Sequence, residues 1–159
     1  MNSNFMKTLV FSATVALLLG GCASMGGGGS GVEILASGNH SDMQDQQYVD
    51  IHKQADFDAL WQKTFAKLSS VPSKPVVDFS KNMVLAAFIG TQNHGGYLIR
   101  IANIDASGAT VQVTVEVTIP GTNCRYTQSK TEPFLFVTAP ATNKPVNFNL
   151  TQRNAPACG

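Results

Sequence analysis

DFSKNMVLAAFIGTQNHGGYLIRIANI, residues 78–104, is the stretch on which the reading of the chain depends. Within it MVLAAFI, residues 83–89, is an apolar run of strand length with no polar position on either face. Such a run predicts a central strand buried on both sides. YLIRIANI, residues 97–104, instead places Tyr97, Ile99 and Ile101 on one face and Arg100 on the other, the period-two pattern of a strand with one wet face. A polar loop ending in a glycine pair joins the two: Thr91, Gln92, Asn93, His94, Gly95, Gly96 and Tyr97.

Downstream, Asp105, Ala106, Ser107 and Gly108 form a turn signal, and residues 110–119 (TVQVTVEVTI) alternate more regularly than any other segment. These residues and 97–104 are expected to pair as an antiparallel hairpin. Pro120, Gly121, Thr122 and Asn123 break the strand, residues 134–138 (FLFVT) make another, and Val146, Phe148 and Leu150 alternate in a last one. The tail 151–159 is left loose unless Cys158 pins it.

Upstream, residues 56–68 (DFDALWQKTFAKL) carry Phe57, Leu60, Trp61, Phe65 and Leu68 at helical spacing. Asp56 and Asp58 stand near the start and Lys63 and Lys67 near the end, each where its charge suits the helix dipole. Trp61, the sole tryptophan, is expected in the core as part of that stripe. The prolines of SSVPSKP (69–75) end the helix by removing backbone donors. Short strands are expected at residues 32–37, 47–52 and 76–79. The fold class is therefore α+β: predominantly antiparallel β, sandwich-like or a curved sheet, with one amphipathic helix covering a face or an end.

Residues 1–21 read as an export signal, with Lys7 as the positive start and an apolar segment at 8–19 shorter than the ~20 residues that span a bilayer. Leu19, Gly20, Gly21 and Cys22 match a bacterial lipobox, whose cysteine is acylated and becomes the mature N-terminus. An ordinary cleaved signal with an incidental Cys22 is the competing reading. Residues 22–31 form a Gly/Ser-rich tether, and the folded domain is expected over 32–159. Ala23 rather than Asp follows the cysteine, so the expected location is the cell envelope, anchored by lipid in the outer membrane and facing the periplasm. Cys124 and Cys158 remain as an even pair in an oxidising space. A disulfide between them would contribute ~3 kcal/mol; two free thiols are the alternative.

Eleven basic and ten acidic residues, with no Lys/Arg cluster, offer nucleic acid no electrostatic footprint. No GxSxG elbow or HExxH pattern occurs, and His40, His52 and His94 stand in unrelated contexts. No catalytic residue, cofactor or metal site is expected. The loop at 91–97 has the chemistry of recognition: Gln92, Asn93 and His94 offer donors and acceptors, Tyr97 an amphipathic ring, and two glycines permit close backbone approach. A tight turn with Tyr97 in the core is the plainer alternative.

The order of these motifs resembles the domain at the C-terminus of the protease complex subunit PrcB, found in bacterial envelope proteins. The resemblance rests on Leu60 and Trp61 in the helix, VDFSKNMVLAAFIG (77–90), Gly95, Gly96 and Tyr97 before an alternating strand, an IPG turn with Cys124, and TEPFLFV (131–137). That family usually has Thr before GGY, where this chain has His94. The resemblance implies a protein partner of the protease-complex class. Chagasin-type inhibitors of cysteine proteases are a more distant similarity, through loops akin to TQNHGGY and TEPF. The expected function is a non-catalytic, lipid-anchored module that binds an envelope protein. Residues 91–97 would form the contact loop, with Pro120, Gly121, Thr131, Glu132 and Pro133 in neighbouring loops. Protease inhibition and a small-ligand or enzymatic role are the alternatives.

Overall fold

The computed structural model describes residues 31–69 and 71–159. The export signal, Cys22 and the tether up to residue 30 lie outside the described residues. Strands β1 (Glu33–Gly38), β2 (Gln46–Ile51), β3 (Asn82–Ile89) and β6 (Phe134–Pro140) form an antiparallel sheet in the order β1-β6-β3-β2. Strands β4 (Leu98–Asp105), β5 (Val111–Ile119) and β7 (Val146–Asn154) form a second sheet in the order β4-β5-β7. Helix α1 (Gln54–Thr64) covers the face of the first sheet that the second sheet does not. The architecture is α+β and sheet-dominated, as the sequence predicts.

The apolar run at 83–89 explains the layering. In β3, Val84, Ala86 and Phe88 point to the helix, while Met83, Leu85 and Ala87 point to the second sheet. Its neighbour β6 divides likewise, with Phe134 and Phe136 against the helix and Leu135, Val137 and Ala139 against the sheet. A strand with cores on both sides has no wet face, so no polar residue interrupts it. The two cores differ in kind. Phe57, Trp61, Phe65, Phe88, Phe134 and Phe136 meet mostly edge-to-face on the helix side, an arrangement that suits aromatic quadrupoles. On the other side β5 sends in Val111, Val113 and Val115, the flat β-branched surface by which sheets pack.

Several expectations need correction. The helix starts two residues early and ends at Thr64 rather than at 68; Phe65 and Leu68 still pack into the core from the turn that follows. Lys53 provides no side-chain cap at its N-terminus. Residues 76–79 are not a strand, since no neighbouring strand takes up their backbone; Val76 is almost fully exposed, Val77 is buried, and Asp78 starts a turn that Ser80 closes. The antiparallel rule fails once: β5 and β7 run parallel, because the chain leaves β5 for the first sheet as β6 and then returns. That pairing also takes residues 151–154 into β7, so this part of the tail is not loose.

Strand directions sort the connections into two ends. The links β1–β2, β3–β4 and β5–β6 and the C-terminal tail gather at one end. The β4–β5 and β6–β7 turns lie at the other, where Gly31 packs beside Pro140. The eight residues of β3 span the distance between the ends, roughly 26 Å at ~3.3 Å per residue.

Candidate functional site

The residues singled out in the sequence converge on the first of these ends. Gln92 and Thr131 form an isolated antiparallel bridge, with Gln92 N–H donating to Thr131 O at 2.7 Å and Thr131 N–H to Gln92 O at 3.0 Å. Gly95 N–H donates to Thr127 O at 2.9 Å, and the Thr131 hydroxyl donates to His94 O at 3.1 Å. From the other flank Thr91 N–H donates to Gln44 O at 3.0 Å. The TQNHGGY and TEPF segments are thus adjacent, and the β3–β4 loop is held along much of its length by the chain's own backbone.

Side chains complete the hold. The His94 ring stacks with both Tyr97 and Tyr126, with centroids 5.4 and 6.1 Å away, and its Nδ1–H donates to Gly95 O at 2.9 Å. Gly96 has a positive φ of 95°, and a Cβ there would run into the Tyr126 ring. The tight approach that the glycine pair permits is therefore made by the chain itself. The Tyr126 hydroxyl accepts from Gly121 N–H at 3.0 Å, and a Cβ on Gly121 would strike the Pro156 carbonyl. A disulfide joins Cys124 to Cys158 with their Cα atoms 4.9 Å apart. Backbone bonds from Cys158 to Thr122 and from Ala155 to Ile119 seat the tail beside it.

The expected contact residues therefore fall into two groups. Thr91 and Asn93 are exposed; Gln92, His94, Gly96 and Tyr97 are half-buried and Gly95 is buried. Tyr97 borders a recess on each side of the gap between the sheets, so its ring seals the sandwich end as well as supporting His94. Of the neighbouring loops, Thr131 and Pro133 are buried, whereas Pro120, Gly121 and Glu132 are half-buried. The sequence reading missed Tyr126, which links the glycine loop to the Gly121 turn. It also missed the exposed run Arg125, Thr127, Gln128, Ser129 and Lys130. Pairing Cys124 with Cys158 was the available signal, because a fixed tail also fixes the segment beside it.

This end presents hydrogen-bonding tips and two cations, Arg125 and Lys130, on a cross-braced base. Among the described residues no group of three or more His, Cys, Asp or Glu side chains is placed to hold a metal ion. Away from this end, Glu116 on β5 accepts from Arg100 on β4 at 2.7 and 2.9 Å and from Arg153 on β7 at 3.2 Å. Those bonds, that from Arg100 first, hold its carboxyl below the usual range.

Neither the curated proteins nor the solved structures include a match to the chain. A family model described as PrcB C-terminal matches residues 83–140, which run from the central strand through the glycine loop and the β4–β5 hairpin to the end of β6. Both central strands and the glycine loop with its Thr131 brace fall inside that match, which supports assigning residues 83–140 to the PrcB C-terminal family.

Proposed function

We propose that the chain is a lipid-anchored envelope module that docks, without catalysis, on a protein of the protease-complex class through the loop end of its sandwich. The family supports association with a protease complex. The observation that carries the docking surface is the cross-bracing of three connections and the tail into one base beneath exposed polar tips. A pre-ordered surface loses little conformational entropy on binding. The chain enters the domain at Gly31, beside Pro140, at the opposite end. A lipid on Cys22 would therefore tether the domain by the end opposite the docking surface, roughly 26 Å from it.

The test is crosslinking in the native envelope followed by identification of the captured protein. Asn93→Ala with Lys130→Ala changes exposed tips and leaves the base intact, whereas the glycines are poor targets because Gly96 packs against the chain's own Tyr126. Expected is loss of one specific partner from the double variant, with full recovery from Lys144→Ala at the far end. Equal recovery from all three proteins would exclude the loop end as the contact. Inhibition of a protease by the purified chain would identify the docking as inhibitory.

A further inference from the structure

The far end of the sandwich has a feature that protein docking does not use. A cleft of about 350 Å³ opens there between the two sheets. Its floor is Met83, Ile101 and Val111, all buried, and Ile104, Pro140 and Ala141 build its sides. The bulge at Ala102, where the β4–β5 register shifts between Ile101 and Asn103, bends β4 at the cleft. A bulge of this kind locally disrupts the ladder and re-aims side chains.

The charge in this lining has one sign. Lys144 is its single charged residue, with no carboxylate, and Asn103 and Thr142 supply the remaining polar side chains. The ammonium is held in place rather than left to swing: Nζ donates to Ala106 O at 2.5 Å and to Gly108 O at 2.8 Å, both in the β4–β5 turn. An ammonium has three donors, so one is left over. Asp105 accepts from Ser107 N–H at 2.9 Å, and the Ser107 bonds first and then the Lys144 charge lower its pKa, but it lies outside the cleft lining and leaves the ammonium as the only charge there. An apolar slot with one fixed cation at its mouth fits an apolar chain that ends in an anion. The volume lies at the lower end of the ~300–1,000 Å³ of small-ligand sites. At roughly 30 Å³ for each water-sized group it admits about ten carbons.

We propose that this cleft binds a medium-chain acyl carboxylate, with the chain against Met83, Ile101 and Val111 and the carboxylate on Lys144. The test is calorimetric titration of the full chain with decanoate and with decanol, which has the same chain and no charge, together with mapping of amide shifts. Decanoate is expected to bind at least about tenfold more tightly than decanol, shifting the amides of Ile101, Ile104 and Val111 and sparing those of residues 91–97. Lys144→Gln should abolish the preference and leave decanol binding unchanged. Ala141→Phe, a change at an exposed rim position, should abolish binding of both while the amide spectrum of the loop end stays as it was. No binding, equal binding of acid and alcohol, or binding that survives Ala141→Phe would overturn the assignment. So would decanoate binding that appears only after Cys22→Ser, because the occupant would then be an acyl group of the chain itself. None of these outcomes depends on a protein partner at the loop end.

Discussion

The two ends of the sandwich solve opposite problems with the same strands. At the loop end the β3–β4 loop, the 120–133 segment and the C-terminal tail are cross-linked by backbone bonds, an aromatic stack and a disulfide. At the far end the short β4–β5 and β6–β7 turns are joined by Lys144, and the sheets part around a cleft. Long connections carry a large ordering cost, so they need the disulfide and the aromatic stack to hold a shape, whereas the short turns hold theirs with Lys144 and the backbone bonds of Ala141 to Lys81 and Val111 to Pro145. The glycine pair thus works inwardly, as a seat for Tyr126, and the polar tips around it are what the loop end exposes.

The largest effect is expected at Gly96. Valine there would combine a positive φ of 95° with a collision against the Tyr126 ring, at a cost of about 3–5 kcal/mol from backbone strain and overpacking together. Urea unfolding followed through the single tryptophan, Trp61, is the readout. Ala141→Val, on an exposed turn at the far end, should change stability by no more than ~0.5 kcal/mol. Similar midpoints for the two variants would show that the loop end is not the braced one. A step below this, Cys158→Ser opens a loop between residues 34 apart in sequence, and the loss is expected at about 3–4 kcal/mol. Hydrogen exchange should quicken at Ala155 and Gly121, whose amides bond to Ile119 and Tyr126, and stay slow at Ala141, whose amide bonds to Lys81. Equal quickening at both ends would mean that the disulfide stabilises the fold as a whole and not its end.

The contrast also marks where sequence reading succeeds. Residues 83–89 declare a central strand because burial on both faces removes every polar position, and 111–119 declare a one-sided strand because burial on one face leaves alternate positions polar. These are local patterns with one physical cause each. Residues 76–79 are apolar except at Asp78, yet apolarity reports burial and not pairing: Val77 is buried while no strand takes up the backbone. The parallel β5–β7 pair was illegible for a related reason, since alternation sets a face and not a direction. At the site, the glycines announced a close approach without naming what approaches. Tyr126 is 30 residues downstream of Gly96, and only the fold brings it there.

Tyr126→Phe narrows the comparison to one hydrogen bond. The ring that fills the space above Gly96 is kept, and the acceptor for Gly121 N–H is lost. A buried or half-buried donor left without a partner costs about 1–2 kcal/mol. The expected result is that modest loss with faster exchange at the Gly121 amide, and with the His94 ring resonances unchanged. A loss as large as that of Gly96→Val would make the hydroxyl, and not the ring packing, the main brace.

The smallest effect is expected midway between the ends, where it serves as a control. Glu116 links all three strands of the second sheet through Arg100 and Arg153, and the hydrogen bonds from Arg100 are the chief cause of its lowered pKa. A carboxyl whose pKa is lower folded than unfolded favours the folded state in its ionised form. That contribution is complete above the ordinary glutamate range and is lost as pH falls through it towards the lowered folded value. Glu116→Gln should therefore flatten this part of the stability profile, with no difference from wild type once the pH is below the folded value, apart from any change in packing. The pair lies at the surface, so the change at neutral pH is expected to be small and to shrink with added salt. Because β5 runs to both ends, exchange at Ala155 and at Val111 should respond alike. A response confined to Ala155 would mean that the ion pairs belong to the bracing of the loop end, and that the boundary between the two regions lies further along β5 than the hydrogen bonds place it.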